Sequence, residues 1–572
     1  MNRMKRTILA FFAFCIIFSA CNDSGRMPDA GEETQVIINP ELNFRPNVIW
    51  LVAEDMSATI PSYGDSTIVT PTLSQLAREG VVYDNFYTPH PVCAPARASI
   101  ITGMYANRIA ASHMRTGPWY SDNVPPEVIE SYGQNFPEGV PVYEAVPPAE
   151  TRMFTEYLRN AGYYCTNNSK QDYQFRKTPG SWDESSPQAT WKNRKAGQPF
   201  FAVFNFNVTH ESQIWQKAED SLWVDNNLEV PVPPYLPDTE TGRKDIRRMY
   251  SNIREMDAQV GEVLALLEED GLLDSTIVIW YSDHGGPLPR QKRAVFDSGV
   301  KVPMIIRFPG QAYAGARDQR MISFIDLGPT ILSLANLVVP GYMDGTAFLG
   351  PNIREEEPEY VFGAADRFDE ITDRIRFARN SRFKYIRNYM PDRSLYMDVS
   401  YRKQMPIMQE LLQLKEENAL TDIQARWFEP VKPGEELYDV DADPHELNNL
   451  ADDPAYSSEL QGLSAAMDQW LAGFEDTGLI PEVELIQNIW PEGKQPVTEK
   501  PELERDENGS VRIVSMTGGA TIAYKIYTAE TEKDKLSWQL YREPVALEQG
   551  QTLTAVAHRI GFLRSQEVNL EN

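Results

Sequence analysis

At 572 residues, with 42% hydrophobic and 11% aromatic side chains, the chain is too long for one ordinary core and too apolar to be disordered, so two or three folded domains are expected. A formal charge of −28 excludes nucleic acid as a partner, because phosphate binding needs a clustered basic surface. The same field repels polyanions at long range, so a site for an anionic substrate must gather its own Lys, Arg and metal charge.

Arg3, Lys5 and Arg6 precede an apolar run from Ile8 to Phe18 and then Ser19-Ala20-Cys21. A basic start, a short apolar run and small residues make an export signal, too short for a comfortable membrane span. Phe18-Ser19-Ala20-Cys21 resembles a bacterial lipobox, which implies a signal peptide over residues 1–20 and lipid on Cys21. The protein is then an exported lipoprotein, periplasmic or at the cell surface of a bacterium, held to the membrane by its lipid alone. Residues 21–44, polar and acidic with Pro28, Gly31 and Pro40, read as a flexible tether.

The fold is expected to begin near Arg45. Val48–Ala53 is a continuous apolar run of strand length, suited to a strand covered on both faces, and Glu54-Asp55 follow it. Phe200–Phe206 leads in the same way into Asn207-Val208-Thr209-His210, and Thr276–Tyr281 into Ser282-Asp283-His284-Gly285. Ligands of open parallel sheets gather beyond the carboxyl ends of strands, so three strands deliver titratable groups to one place. Between the last two, Ile246, Met249, Ile253, Met256, Val260, Val263 and Leu267 recur at helical spacing, as in a core-facing crossover helix over Asp245–Glu269. Met304–Phe308 is a further strand.

Past about Asn352 come shorter strands such as Arg382–Arg387 and a helix over Met408–Asn418, which suggests a smaller second layer. Pro491, Pro496 and Pro501 mark a linker. Ser510–Met516, Ala520–Tyr527, Ser537–Tyr541 and Thr552–Ile560 then read as strands of a small all-β module. The plan is a catalytic domain over 45–352, a C-terminal subdomain over 353–480 and a β-sandwich module over 481–572. Cys15 leaves with the signal and Cys21 takes lipid, so Cys93 and Cys165 imply no internal disulfide framework.

The run Pro91–Gly103 sets a thiol and a guanidinium, Cys93 and Arg97, one helical turn apart. Pro95 suits the first turn of a helix, which leaves free backbone donors near Cys93 and welcomes an anion there. On these residues alone the thiol reads equally as a core cysteine at a helix start. The order Cys93-Ala94-Pro95-Ala96-Arg97, followed by Ala98-Ser99 and Thr102-Gly103, resembles the signature of the type I sulfatases of the alkaline phosphatase superfamily. Gly162–Lys170 resembles the family's second signature, and Glu436–Asp439 with Asp443–Leu450 resembles a segment near its end, so the resemblance spans roughly Arg45 to Pro454. It implies an α/β fold: a large mixed sheet flanked by helices, a smaller C-terminal α+β subdomain and, here, the appended all-β sandwich.

The resemblance also implies a site. A maturing enzyme oxidises Cys93 to formylglycine, whose hydrated aldehyde supplies the nucleophilic oxygen, and Arg97 holds the hydrate. Glu54, Asp55, Asp283 and His284, with Cys93, hold one divalent cation, Ca²⁺ ahead of Mg²⁺ because most donors are oxygens. Lys170 and Lys292 line the sulfate pocket, and His210 protonates the departing alcohol. Sulfate transfer moves negative charge from attacking to leaving oxygen, so it needs such preplaced cations and donors. Glu54 stands where aspartate is usual, and Asp172 where the family has the histidine that serves as base in the second step. Asp172 or His113 is the candidate replacement, and His113 is also expected to touch substrate. The function implied is hydrolysis of sulfate esters or sulfamates of carbohydrates, as in sulfatases of heparan and other sulfated glycans. Two alternatives stay open: a phosphodiesterase or phosphonate hydrolase of the same superfamily, and a non-catalytic surface protein binding sulfated glycan on a decayed site.

Overall fold

A continuous run of branched and aromatic residues has no polar face to turn to water and must be covered on both sides. In the computed structural model Asn47–Ala53 is such a strand, buried at every residue, at the middle of the main sheet. The structure describes residues 37–119, 124–134 and 136–572; the expected signal peptide, Cys15, Cys21 and most of the tether lie outside the described residues.

The main sheet has nine strands: β1 (Asn47–Ala53), β2 (Val81–Tyr87), β3 (Tyr164–Asn168), β4 (Glu184–Ser185), β5 (Phe200–Phe206), β6 (Thr276–Ser282), β7 (Lys301–Arg307), β8 (Ala316–Asp318) and β9 (Ile322–Ser323). Their order is β4-β3-β5-β1-β6-β7-β2-β8, with β9 also beside β2. From β4 to β6 the neighbours run parallel, whereas β7 is antiparallel to both β6 and β2, so the sheet is mixed. Ala53 pairs in register with Phe206 on β5 and Ser282 on β6. The three segments that follow these residues therefore leave the sheet side by side.

Alternation along β1 feeds two cores. Val48, Trp50 and Val52 face a layer holding Ile100 and Ile101 of the helix Cys93–Thr102 together with Phe154 and Leu158. Ile49, Leu51 and Ala53 face the stripe Ile246, Met249, Ile253, Met256 and Val260 of the helix Glu240–Glu269. Each such fully buried side chain contributes about 1.5–3 kcal/mol. That helix begins before Asp245 because Thr239 caps it, its hydroxyl accepting from the Gly242 N–H.

A second, antiparallel sheet follows in the order β10 (Val361–Ala365), β11 (Ile375–Arg379), β12 (Phe383–Asn388) and β13 (Glu435–Asp439). One face packs against Tyr87, Val92, Cys93 and Phe296, which buttresses the start of the Cys93 helix. The other packs against Leu463 and Met467 of the helix Ser457–Ala472. At the C-terminal end β14 (Glu502–Arg505) pairs with β15 (Val511–Val514). The last sheet contains β16 (Thr521–Thr528), β17 (Gln539–Leu540), β18 (Gln551–His558) and β19 (Val568–Glu571) in the order β17-β16-β18-β19. Both sheets share a core of Val511, Ile513, Leu553 and Ala555.

Two boundaries differ from expectation. Ile38 is 3% exposed within the main core and Asn39 donates to the Gly350 carbonyl, so packed chain begins inside the expected tether. The stretch from 481 opens as a helix, Glu482–Ile489, rather than as β structure. Glu482 accepts a two-pronged ion pair from Arg367 and Leu485 joins the main core, which binds this helix to the larger body. Among the described residues no helix is long and apolar enough to cross a membrane.

Candidate active site

Val92, in extended conformation, precedes the helix Cys93–Thr102, and Gly103, at φ +67°, ends it by donating to the Ser99 carbonyl. Every residue of this helix is buried, so Cys93 is held rigidly at its start. The sulfur lies 3.3 Å from His284 Nε2. Donor atoms of Cys93, Asp283 and His284 all lie within 4.8 Å of one another, as do those of Cys93, Asp55 and His210. The carboxyl ends of β1, β5 and β6 thus converge on one sulfur. Burial alone would push the thiol up, but Lys170, Lys292 and His284 outweigh it and hold the thiol down at about 5. The position favours an anion.

The cations are distributed around it, each on a carboxylate. Arg97 donates through Nε and Nη2 to Asp283 Oδ2 at 3.1 and 3.0 Å, and through Nη1 to Asn205 Oδ1 at 2.7 Å. Lys170 Nζ lies 2.8 Å from Glu54 Oε2. Lys292 Nζ reaches Asp55 Oδ2 at 2.7 Å, Glu211 Oε1 at 3.1 Å and His210 Nε2 at 3.2 Å. His284 Nε2 sits 3.0 Å from Asp55 Oδ1 and 3.6 Å from Asp283 Oδ1. Burial would lower the His284 pKa, yet Asp283, Asp55 and Cys93 raise it to about 10. Burial opposes ionisation of Asp55 too, but Lys292, His210 and His284 hold that carboxyl far below the usual range.

These residues fit a divalent cation. Asp55 Oδ1 is buried with His284 Nε2 as its one polar neighbour among the described residues, and the carboxylates of Asp55 and Asp283 converge with His284 on the position-93 side chain. Two hard oxygen donors and one imidazole are a set that a divalent metal would complete. Glu54 is not brought into either donor group: its carboxylate is engaged by Lys170 and stands 4.0 Å from Arg97.

Asp172 is buried at φ +58°, with Oδ2 3.5 Å from an Arg115 Nη2. Against burial, Arg115, Lys170 and Arg97 hold this carboxyl below its ordinary value, so it is ionised at neutral pH. His113 does not take the place expected of it. Its ring is 3% exposed, Nδ1 accepts from the Arg367 N–H at 3.3 Å, and Nε2 has no hydrogen bond among the described residues. Its charged neighbours are Glu482, Arg367, Asp366 and Arg376 rather than groups around Cys93. Arg115, two residues on, is the one that reaches the site, its side chain 31% exposed and its charge felt by Asp172, Cys93 and Asp369.

Glu211 and Arg293 are site residues that sequence reasoning passed over. The Glu211 N–H donates to Asp55 Oδ2 at 2.7 Å, and its carboxylate takes both Nη atoms of Arg293 at 2.9 and 2.8 Å as well as Lys292. The available signal was adjacency, since each follows a residue of a recognised motif, His210 and Lys292.

A mixed sheet whose strand ends gather a buried cysteine, five Arg and Lys cations and a metal-fitting donor set defines a hydrolase of anionic esters. The Sulfatase family model matches residues 46–337, and the model of the N-sulphoglucosamine sulphohydrolase C-terminal region matches residues 290–426. The chain is 44% identical over 604 residues to an ulvan-active sulfatase of Formosa agariphila, across 100% of this chain and 98% of that protein. It is 26% identical over 480 residues to N-sulphoglucosamine sulphohydrolase of Homo sapiens, across 74% of this chain and 89% of that protein. Among solved structures, BT1596, a 2-O GAG sulfatase, shares the fold with a TM-score of 0.54 at 19% identity, covering 76% of this chain and 93% of that one. The chain belongs to the type I sulfatase family and is a sulfuric ester hydrolase. Members of this family generally use formylglycine and a divalent metal.

Proposed function

We propose that this protein is an exported, lipid-anchored sulfatase that removes sulfate from ulvan-type sulfated glycans, using a formylglycine made from Cys93 and Ca²⁺. The observation that carries the reading is the convergence on the Cys93 sulfur of Asp55, His210, Asp283 and His284 within 4.8 Å, ringed by paired Arg97, Lys170 and Lys292. The substrate class rests on the full-length relative, which is an ulvan-active sulfatase. Export and anchoring rest on the basic, apolar and Ser19-Ala20-Cys21 segments, and Ca²⁺ on the oxygen-rich donor set.

Formylglycine supplies a hydrated aldehyde as oxygen nucleophile, and the metal supplies fixed positive charge beside it. The chain's own residues do the rest. Arg97, fixed by Asp283 and Asn205, donates toward the nucleophilic oxygen at position 93. Lys170 and Lys292 face the charge that builds on the sulfate oxygens. His210, beside Lys292, delivers the proton to the departing sugar oxygen as the S–O bond breaks. Asp172, kept ionised by Arg115, Lys170 and Arg97, is the base that takes a proton back when sulfate is released.

A substrate panel tests this. Purified protein from a host with a formylglycine-maturing enzyme should release inorganic sulfate from ulvan oligosaccharides, and Cys93→Ala should not. Faster turnover of phosphodiesters or phosphonates would favour the hydrolase alternative, and binding without sulfate release in wild type would favour the non-catalytic one. The match of residues 290–426 to the N-sulphoglucosamine sulphohydrolase model supports including a sulfamate, whose S–N bond the same residues could cleave.

A further inference from the structure

A second group of cations lies outside the catalytic centre, in a groove of about 870 Å³ between the C-terminal β structure and the loop after Asp172. Thr521 donates to Glu156 Oε2 at 2.6 Å and Arg542 donates to the Arg159 carbonyl, so the two sides are fixed against each other. One wall carries Arg176, Lys177 and Trp182; the other carries Lys525, Trp538 and Arg564. The lining acids are Asp183, Asp534 and Glu567, and two of them are neutralised from outside the groove: Arg159 holds Asp183 at 2.8 Å and Lys533 holds Glu567 at 2.8 Å. Arg176 is engaged by Glu144 at 2.6 Å. Against the one remaining acid, exposed Asp534, stand Lys525 and Arg564, so the groove is cationic on a chain whose formal charge is −28.

Those two cations are built around one ring. Lys525 Nζ lies 4.7 Å, and the Arg564 guanidinium carbon 6.0 Å, from the centroid of half-buried Trp538. Neither cation has a carboxylate within ion-pair distance among the described residues. Lys525 is 7% exposed, and of the three donors of its ammonium one reaches the Lys533 carbonyl at 3.1 Å. A buried ammonium short of acceptors is destabilised until an oxyanion supplies them. Leu563 and Arg564 are exposed, so the groove opens to solvent. Its volume falls within the ~300–1,000 Å³ of sites that take drug-sized ligands, which suits a short run of sugars better than a lone ion.

We propose that this groove is a second, non-catalytic binding site for an acidic polysaccharide, in which Trp538 packs against a sugar face while Lys525 and Arg564 hold its sulfate or carboxylate groups. A ring flanked by two cations matches a chain that alternates apolar sugar faces with oxyanions. The Cα atoms of Asp172 and Arg176, four residues apart, are separated by at most about 14 Å. Polymer held at the groove thus raises the concentration of its own sulfate esters at the catalytic centre, with no continuous track needed between the two. The identity of the occupant rests on the glycan-sulfatase reading above; the groove itself does not.

The test is affinity electrophoresis of the Cys93→Ala protein, which leaves polymer intact, through native gels containing ulvan, desulfated ulvan, carboxyl-reduced ulvan or neutral dextran. Ulvan should retard it and dextran should not, with retardation falling as salt screens the contacts. Adding Arg564→Glu or Trp538→Ala should weaken retention about 10-fold, while Trp538→Phe keeps most of it. Arg564 is exposed, so Arg564→Glu should keep the melting temperature within about 2 °C of its parent. In the active enzyme Arg564→Glu should raise KM on polymeric ulvan about 10-fold and leave kcat there, and turnover of 4-nitrophenyl sulfate, within about 2-fold. Loss of retention on desulfation identifies sulfate as the group held; loss on carboxyl reduction identifies a carboxylate. Unchanged retention in folded Arg564→Glu and Trp538→Ala proteins, or equal retention by dextran, would overturn the proposal. Retention that Arg564→Glu weakens, in an enzyme that releases no sulfate from ulvan or its oligosaccharides, would uphold the groove and overturn the glycan-sulfatase reading instead.

Discussion

Replacing His210 by alanine separates proton delivery from charge stabilisation. His210 Nε2 is 3.2 Å from Lys292 Nζ, and one of its ring nitrogens lies within 4.8 Å of the Cys93 sulfur. Lys292 keeps Asp55 at 2.7 Å and Glu211 at 3.1 Å after the change, so no buried charge is stranded and the loss of stability should stay near 1 kcal/mol. Lys292 cannot substitute as the acid. Although burial disfavours its charge, Asp55, Cys93 and Glu211 raise its pKa well above the usual range, so the proton stays put. A sugar alkoxide is a poor leaving group and needs the proton; a nitrophenolate does not. General acid catalysis is worth about 10²–10⁴-fold, or about 3–5 kcal/mol of barrier. His210→Ala should therefore lose about 10²–10⁴-fold in kcat on a sulfated sugar and less than about 10-fold on 4-nitrophenyl sulfate, measured by sulfate release and nitrophenolate absorbance. Parallel losses on both would refute the acid role and leave His210 a positioning group for Lys292.

Three further outcomes follow from particular contacts. Asp283→Asn removes one anion from the donor set and weakens the hold on Arg97, so metal per chain by plasma mass spectrometry should fall together with activity; full activity after exhaustive chelation would contradict the metal site. Asp172→Asn should slow the second half-reaction more than the first, giving a burst of alcohol release in stopped flow; a change in KM alone would reduce Asp172 to a partner of Arg115. Asp245, 3% exposed and accepting from the Ile407 N–H at 2.7 Å, has its pKa raised by burial from 3.8 to about 7. A carboxyl raised on folding stabilises the fold fully below its unfolded pKa and loses that contribution as pH climbs to the folded value. Between about pH 4 and 7 the loss is of order 4 kcal/mol. Asp245→Asn keeps an acceptor for Ile407 and should flatten this slope, raising the melting temperature at pH 8 relative to wild type and not at pH 4; equal shifts at both would contradict it.

The sheet was readable because its central strands carry the simplest signal, an unbroken apolar run. Phe200–Phe206 appears in the structure with the same bounds that its composition suggests. The strand predicted over Met304–Phe308 starts earlier, at Lys301, because pairing with Tyr87 across the sheet extends it through Pro303, and no local propensity encodes that partner. Strands β14 and β19, Glu-Leu-Glu-Arg and Val-Asn-Leu-Glu, went unread because charged and polar residues mask alternation on short edge strands. In the site, motif residues after β1, β5 and β6 were legible because register alone carries them together. His113 was misplaced because nearness in sequence to the Cys93 motif does not say which way a side chain turns.

In the proposed function, position 93 supplies the attacking oxygen. The direct measurement is the mass of the tryptic peptide ending at Arg97, taken on preparations of graded activity from hosts with and without a formylglycine-maturing enzyme. An aldehyde should stand in place of the Cys93 thiol, in a fraction that rises in proportion to specific sulfatase activity and is zero in inactive protein. Fully active enzyme carrying only the unmodified thiol would contradict it.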